Sequence, residues 1–168
     1  VGDIQFASRK SKKWTAIGGG VLTDTASMAA SLTGAKIQFI PTTLLAMSDA
    51  CVGGKTGVNY PPYGKNQVGR FYFPMNVAIW PGWLNTLDPR ELKSGAVEGM
   101  KHAILCGDKI LFDGIAKSIS ANNTVNEIGG YLERIVQIKA DVVEKDPAEN
   151  GLRATLNLGH TLAHALEA

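Results

Sequence analysis

Every stretch of this chain that reads as a β-strand lies before Pro81, and everything after it reads as helix. Trp14-Thr15-Ala16-Ile17 reads as a short buried strand. Residues 36–40 alternate weakly and end apolar, and residues 77–80 follow the aromatic run Phe71-Tyr72-Phe73-Pro74 as a third strand. Gly18-Gly19-Gly20 separates the first strand from a helix over about residues 21–32. Strand, glycine turn and helix together can seat a pyrophosphate on a helix N-terminus. GGG does not match G-x-G-x-x-G, so a plain tight turn fits the triplet equally well. Asp24 suits the helix dipole as an acid in the first turn. Trp80, Trp83 and the neighbouring aromatics read as core. Beyond Pro81, Asp88-Pro89-Arg90-Glu91 is a strong helix start, with Asp as N-cap, Pro at N1 and Glu at N3. That helix should run to about residue 105. Two more follow over about residues 108–120 and 125–145, the latter despite Gly129-Gly130, and Pro147 closes it. A last helix should begin near Thr155. The pattern predicts an α/β nucleotide-binding portion over residues 1–82 and an all-α portion over residues 83–168.

Between the second and third strands lies PTTLLAMSDACVGGKTGVNYPPYGKN, residues 41–66, too irregular for a helix and too polar for a core strand. Gly53 and Gly54 leave backbone free for close approach. Lys55 follows at once, and Gly64-Lys65-Asn66 repeats the device, so two cations can face one place, as an anion such as phosphate requires. A phosphate-binding G-x-x-x-x-G-K-[ST] loop is excluded, because Asp49 stands where its first glycine must be.

A chain of 168 residues has room for one domain or two small ones. Its net charge of +2 gives no reason to expect a nucleic-acid surface. Cys51 and Cys106 are too far apart for a zinc-ribbon or redox pair and read as reduced thiols of a cytoplasmic protein. No apolar run is long enough to span a membrane, and no secretory signal is recognisable. The first residue is Val1 and the last run, TLAHALEA, has no helix stop, which reads as a fragment of a longer protein.

All three histidines fall in two pairs at helical spacing: Glu98 with His102, and His160 with His164. Residues four apart share a helix face, and carboxylate and imidazole groups converging from two helices are the makings of a divalent metal site. Spacing alone does not say which of the four would ligate. Lys55, Lys65, Lys101, Lys139 and Arg153 are scattered along the chain, which by itself describes a solvated face.

The run PTTLLAMSDACVGGKTGVN followed by GKN, together with GAVEGMK, IKADVVEKD and ENGLRATLNLGHTLAHALE, closely resembles the 3-dehydroquinate synthases, sugar-phosphate cyclases of the shikimate pathway. The resemblance covers nearly the whole chain. It implies a Rossmann-like portion followed by a helical one with the active site between them. It implies catalytic NAD at Gly18, Gly19, Gly20 and Asp24, with Thr42, Thr43, Asp49, Lys55 and Lys65 nearby. It implies a zinc or cobalt ion on Glu98 and His160, with a third ligand beyond Ala168, and makes His102 a bystander. Asp49, Lys55, Lys65, Asn66, Lys101, Lys139, Arg153, Asn157 and His164 would line the substrate pocket, and Lys55, Lys101, Lys139, Glu149, Arg153, Asn157 and His164 would serve catalysis. The implied reaction converts a seven-carbon keto-acid sugar phosphate, 3-deoxy-D-arabino-heptulosonate 7-phosphate, to 3-dehydroquinate and phosphate, in a homodimer with no nucleic-acid or membrane partner.

Three departures stand out. The segment between Asp24 and Pro41 is about two residues shorter than usual, Thr33-Gly34 stands where the family places an arginine before a glycine, and one extra residue lies between Lys55 and Lys65. The competing readings are another sugar-phosphate cyclase, an NAD- and metal-dependent alcohol dehydrogenase of the same architecture, and an inactive remnant.

Overall fold

A computed structural model of the chain describes residues 12–58, 68–120 and 124–160. Its first layer is a three-stranded parallel sheet of β1 (Lys13–Gly18), β2 (Lys36–Pro41) and β5 (Asn76–Val77), with β2 in the middle. Along β2 the side chains of Ile37, Phe39 and Pro41 are buried in alternation, as the pleat requires. Helix α1 (Gly20–Thr33) crosses from β1 to β2 and buries Thr23, Ser27, Met28, Ala29 and Ala30. Apart from Met28 these side chains are small and let it lie close to the sheet. Thr33 and Gly34 end it: the Thr33 hydroxyl donates to Ala29 O, and Gly34 takes the left-handed conformation (φ 70°) that closes many helices.

The third strand is shorter than the sequence suggested, since pairing stops at Val77 and the chain enters a 3-10 turn at Pro81–Thr86. A second sheet was not foreseen at all. Lys55–Val58 (β3) and Val68–Phe71 (β4) pair antiparallel, with Lys55 opposite Phe71 and Val58 opposite Val68. The glycine content of 53–57 hid this strand, because strand propensity there is poor. The Thr56 hydroxyl donates to Asp24 O at 2.7 Å and ties the hairpin to α1.

The helical half follows the sequence closely. Helix α2 (Pro89–Cys106) starts with the Asp88 side chain accepting from Arg90 N at 2.8 Å and stops at Gly107 (φ 71°). Helices α3 (Lys109–Ser120) and α4 (Thr124–Lys145) complete the set. Asp108 caps α3 by accepting from Leu111 N at 3.0 Å. Where the last helix was expected to begin, the chain forms a 3-10 turn, Leu152–Asn157, followed by Gly159 at φ 84°; helix starts at His160, and the remainder of the expected helix lies outside the described residues. Among the described residues no helix is long and apolar enough to cross a membrane.

Two apolar clusters hold these elements. One joins Ala16, Ala30, Ile37 and Phe39 of the sheet layer with Cys51. The other joins Leu92, Ala96, Leu111, Ile115, Ile128, Leu132 and Ile135 of the helices with Leu44 and Met47. Leu44 and Met47 come from the segment after β2, so that segment is anchored in the helical core. Gly95 makes the approach feasible: a Cβ there would stand 2.7 Å from Leu45 N. The anchored residues run into a single turn of π-helix, Ala46–Ala50, that carries Asp49. Such wide turns recur at functional sites. Both cysteines are free, and burial pushes the Cys51 thiol up to about 11.

Candidate active site

A cavity of about 460 Å³ opens beside the π-helical turn. Asp24 of α1, Asp49 of the turn, Lys55 and Thr56 of β3, Arg70 and Phe71 of β4, Lys139 of α4, and Arg153, Asn157 and His160 of the C-terminal stretch line it. Cations that are scattered in sequence thus share one wall, and tertiary packing alone brings them there.

Lys139 is 6% exposed and donates to both the backbone oxygen of Asp49, at 2.5 Å, and Asp49 Oδ1. Burial pulls its ammonium below the usual lysine range, and the Asp49 carboxylate partly restores it. Helix α1 starts one residue earlier than the sequence suggested, which leaves Asp24 just past its first turn. Burial, aided by the negative charge of Asp49, raises its carboxyl to about 7.

Lys55 makes an ion pair with Glu149, whose second oxygen accepts from Asn157 Nδ2 at 2.8 Å. Partial burial pushes the Glu149 carboxyl up, but the bonds from Lys55 and Asn157 outweigh it and hold the group below its ordinary value. Glu149 takes a left-handed backbone conformation (φ 60°), the one non-glycine residue among those described to do so. Arg153 is 2% exposed and donates to Pro147 O at 2.8 Å and Gly53 O at 2.6 Å, with its guanidinium over the Phe71 ring. The glycine pair was read as room for a ligand. Instead, a Cβ on Gly53 would stand 2.5 Å from Arg153 Nη2, and one on Gly54 would meet the Phe73 ring at 2.8 Å. Both glycines are needed for packing within the protein.

Next to Asp49, Glu98 and His102 project from consecutive turns of α2. His102 is fully buried, with Nδ1 3.3 Å from Ile135 O and Nε2 3.4 Å from Glu98 Oε1. Lys101 Nζ lies 2.5 Å from the same Glu98 oxygen. Burial alone would raise the Glu98 carboxyl, yet its contacts with His102 and Lys101 take it down to about 2. One ligand atom from each of Asp49, Glu98 and His102 lies within 4.8 Å of the others. Such a set of oxygens and an imidazole nitrogen fits a divalent cation. Spacing kept His102 among the four metal candidates and the resemblance made it a bystander; the structure groups it with Glu98 and Asp49.

The remaining candidates divide. Gly18, Gly19 and Gly20 form the β1–α1 turn, Thr42 and Thr43 follow β2, and all five are off the cavity wall. Thr42 N donates to Gly18 O, and the Thr43 hydroxyl accepts from Ala46 N, linking that turn to the π-helical one. Gly18 has φ 157°, and a Cβ on Gly19 would press to 3.1 Å on Thr43. Lys65, Asn66 and His164 lie outside the described residues.

Two family models span the chain: 3-dehydroquinate synthase N-terminal over residues 4–94 and 3-dehydroquinate synthase C-terminal over residues 95–168. The chain belongs to the 3-dehydroquinate synthase family. The 3-dehydroquinate synthase of Legionella pneumophila is 45% identical over 168 residues, covering 98% of this chain and 45% of that one. That of Campylobacter hominis is 46% identical, covering 96% and 47%. The chain therefore spans about half the length of these curated relatives. A 2-epi-5-epi-valiolone synthase from Streptomyces hygroscopicus subsp. jinggangensis, solved with NAD+ and Zn2+ bound, superposes with a TM-score of 0.79 at 32% identity, over 94% of this chain and 47% of that one. A 2-deoxy-scyllo-inosose synthase complexed with carbaglucose-6-phosphate, NAD+ and Co2+ shares the fold at a TM-score of 0.80 and 24% identity, over 99% and 47%.

Proposed function

We propose that this chain supplies the cofactor turn and much of the substrate wall of a 3-dehydroquinate synthase, which converts 3-deoxy-D-arabino-heptulosonate 7-phosphate to 3-dehydroquinate and inorganic phosphate. The observation that carries this reading is the cavity wall, where Lys55, Arg70, Lys139 and Arg153 stand with Asp24, Asp49, Asn157 and His160. A substrate bearing a phosphate, a carboxylate and several hydroxyls needs that mixture of cations, acceptors and amide donors.

In this reading Glu98 and His160 hold the divalent cation, and the β1–α1 turn with Gly18, Gly19 and Gly20 receives NAD. When bound, the cation would polarise substrate hydroxyls while the nicotinamide accepted and later returned a hydride. The chain's own groups do the rest. Lys55 is half exposed and paired with Glu149, so it can trade that carboxylate for a substrate anion. Asn157 keeps Glu149 in place during the exchange. Lys139, locked to Asp49, offers a fixed positive charge with little freedom left to lose. Arg153 spends its donors on Pro147 and Gly53, so it shapes the wall and adds charge. Lys65, Asn66, Lys101 and His164 complete the substrate set, with residues 1–82 and 83–168 forming the two sides of the site and a homodimer as the assembly.

The test is to incubate the full-length protein with the keto-acid phosphate, NAD and zinc while following phosphate and NADH together. Stoichiometric phosphate without net NADH is expected. Net NADH accumulation would instead indicate a dehydrogenase, and no phosphate release would reject the cyclase assignment.

A further inference from the structure

We propose that Arg70 grips a phosphate group entering the cavity, using both prongs of its guanidinium. The inference rests on the reading of this cavity as the seat of a phosphate-bearing ligand, and it names the residue that holds that group. Among the described residues, lysine and arginine put four cations on the cavity wall, and three of them are committed within the protein. Lys139 is buried and donates to the backbone oxygen and the carboxylate of Asp49. Arg153 is buried, donates to Pro147 O and Gly53 O, and lies over the Phe71 ring. Lys55 is paired with Glu149. Arg70 is exposed, and no hydrogen bond or ion pair joins it to another described residue.

The hairpin fixes where this charge stands. Arg70 on β4 pairs with Thr56 on β3, and residues directly opposite in an antiparallel pair project from the same face. Thr56 faces α1, where its hydroxyl donates to Asp24 O. Arg70 therefore stands on the α1 side of the hairpin. Lys55 pairs with Phe71, so it projects from the other face, the one that meets Arg153. The next pair, Gly57 with Gly69, also lines the cavity and adds no side chain to fill it. A phosphate group carries up to two negative charges at neutral pH and accepts through three oxygens. A guanidinium is always charged, and its planar fork meets two of those oxygens at once. Lys55 must give up Glu149 before it can take an anion, whereas Arg70 has no such bond to break.

Arg70→Gln and Arg70→Lys in the full-length protein test this. The side chain is exposed, so neither substitution should move the urea midpoint. Three quantities are compared with the parent: the Kd for inorganic phosphate by calorimetry, the KM for the keto-acid phosphate, and the Kd for NAD by fluorescence titration. Arg70→Gln should weaken inorganic phosphate by about 10–100-fold, the range of a lost charge-assisted bond. Arg70→Lys should recover only part of that loss, because an ammonium lacks the fork. A matching rise in KM with NAD affinity unchanged assigns the contact to the phosphate of the substrate. Weaker NAD binding with KM unchanged assigns it to a phosphate of the dinucleotide. Parent-like values of all three quantities in Arg70→Gln would overturn the proposal, and so would full recovery in Arg70→Lys. Should the parent release no phosphate from the keto-acid phosphate, the cyclase reading fails, and the titration with inorganic phosphate still decides the role of Arg70.

Discussion

Asp24 shows how much a single residue depends on what folds against it. In the sequence it is an acid near a helix start. In the structure it faces Asp49 and Lys139 in a cavity wall, and its pKa is about 7 against an ordinary 3.8. The folded chain therefore holds this proton more tightly than the unfolded chain does. Its contribution to stability is fully present below about pH 3.8 and is lost as pH rises through about 7. Urea unfolding between about pH 5 and 8 should show the parent losing stability relative to Asp24→Asn, whose amide imitates the protonated acid. A constant difference across that range would contradict the assignment.

At the scale of elements, the glycines distinguish positions where backbone freedom is used from those where it is not. Gly53 has φ 115°, and a Cβ would run into Arg153 and Val143. Gly53→Ala should cost about 1–3 kcal/mol, from a strained backbone and a displaced guanidinium. Gly130 lies exposed on α4, with nothing within 4 Å of where a Cβ would stand. Gly130→Ala should stabilise by about 0.5–1 kcal/mol through helix propensity. Urea midpoints of the two variants should move in opposite directions, and a shift of the same sign would refute the contrast. The helix boundaries were legible because caps are local: Asp88, Pro89 and Gly107 act within a turn of themselves. The β3–β4 hairpin was not legible, because its stability comes from pairing between segments and from the Thr56 contact with Asp24.

At the scale of the whole molecule, the segment after β2 couples the two apolar clusters: Leu44 and Met47 enter the helical core, and Cys51 enters the sheet-layer core. The same segment delivers Asp49 to Lys139, ninety residues away. Cation binding at Glu98 should therefore be felt as global stability. Zinc at about one hundred times its dissociation constant should raise the stability of the full-length protein by about 2.7 kcal/mol. Thermal unfolding with zinc or with a chelator should show that gap, and Glu98→Ala should close it. A gap that survives in Glu98→Ala would place the ion elsewhere.

Strand-then-helix order, the helix caps, the sharp turn at Gly18-Gly19-Gly20 and the family motifs were all legible in the amino-acid string, because each depends on neighbours within a few residues or on a contiguous pattern. Folding was needed to show that Gly53 and Gly54 pack against Arg153 and Phe73, that Lys55 lies on a strand, and that His102 is buried against Glu98. Those outcomes depend on groups far apart in the chain meeting in a buried space, where the cost of leaving a charge or a hydrogen-bonding group without a partner selects the contacts.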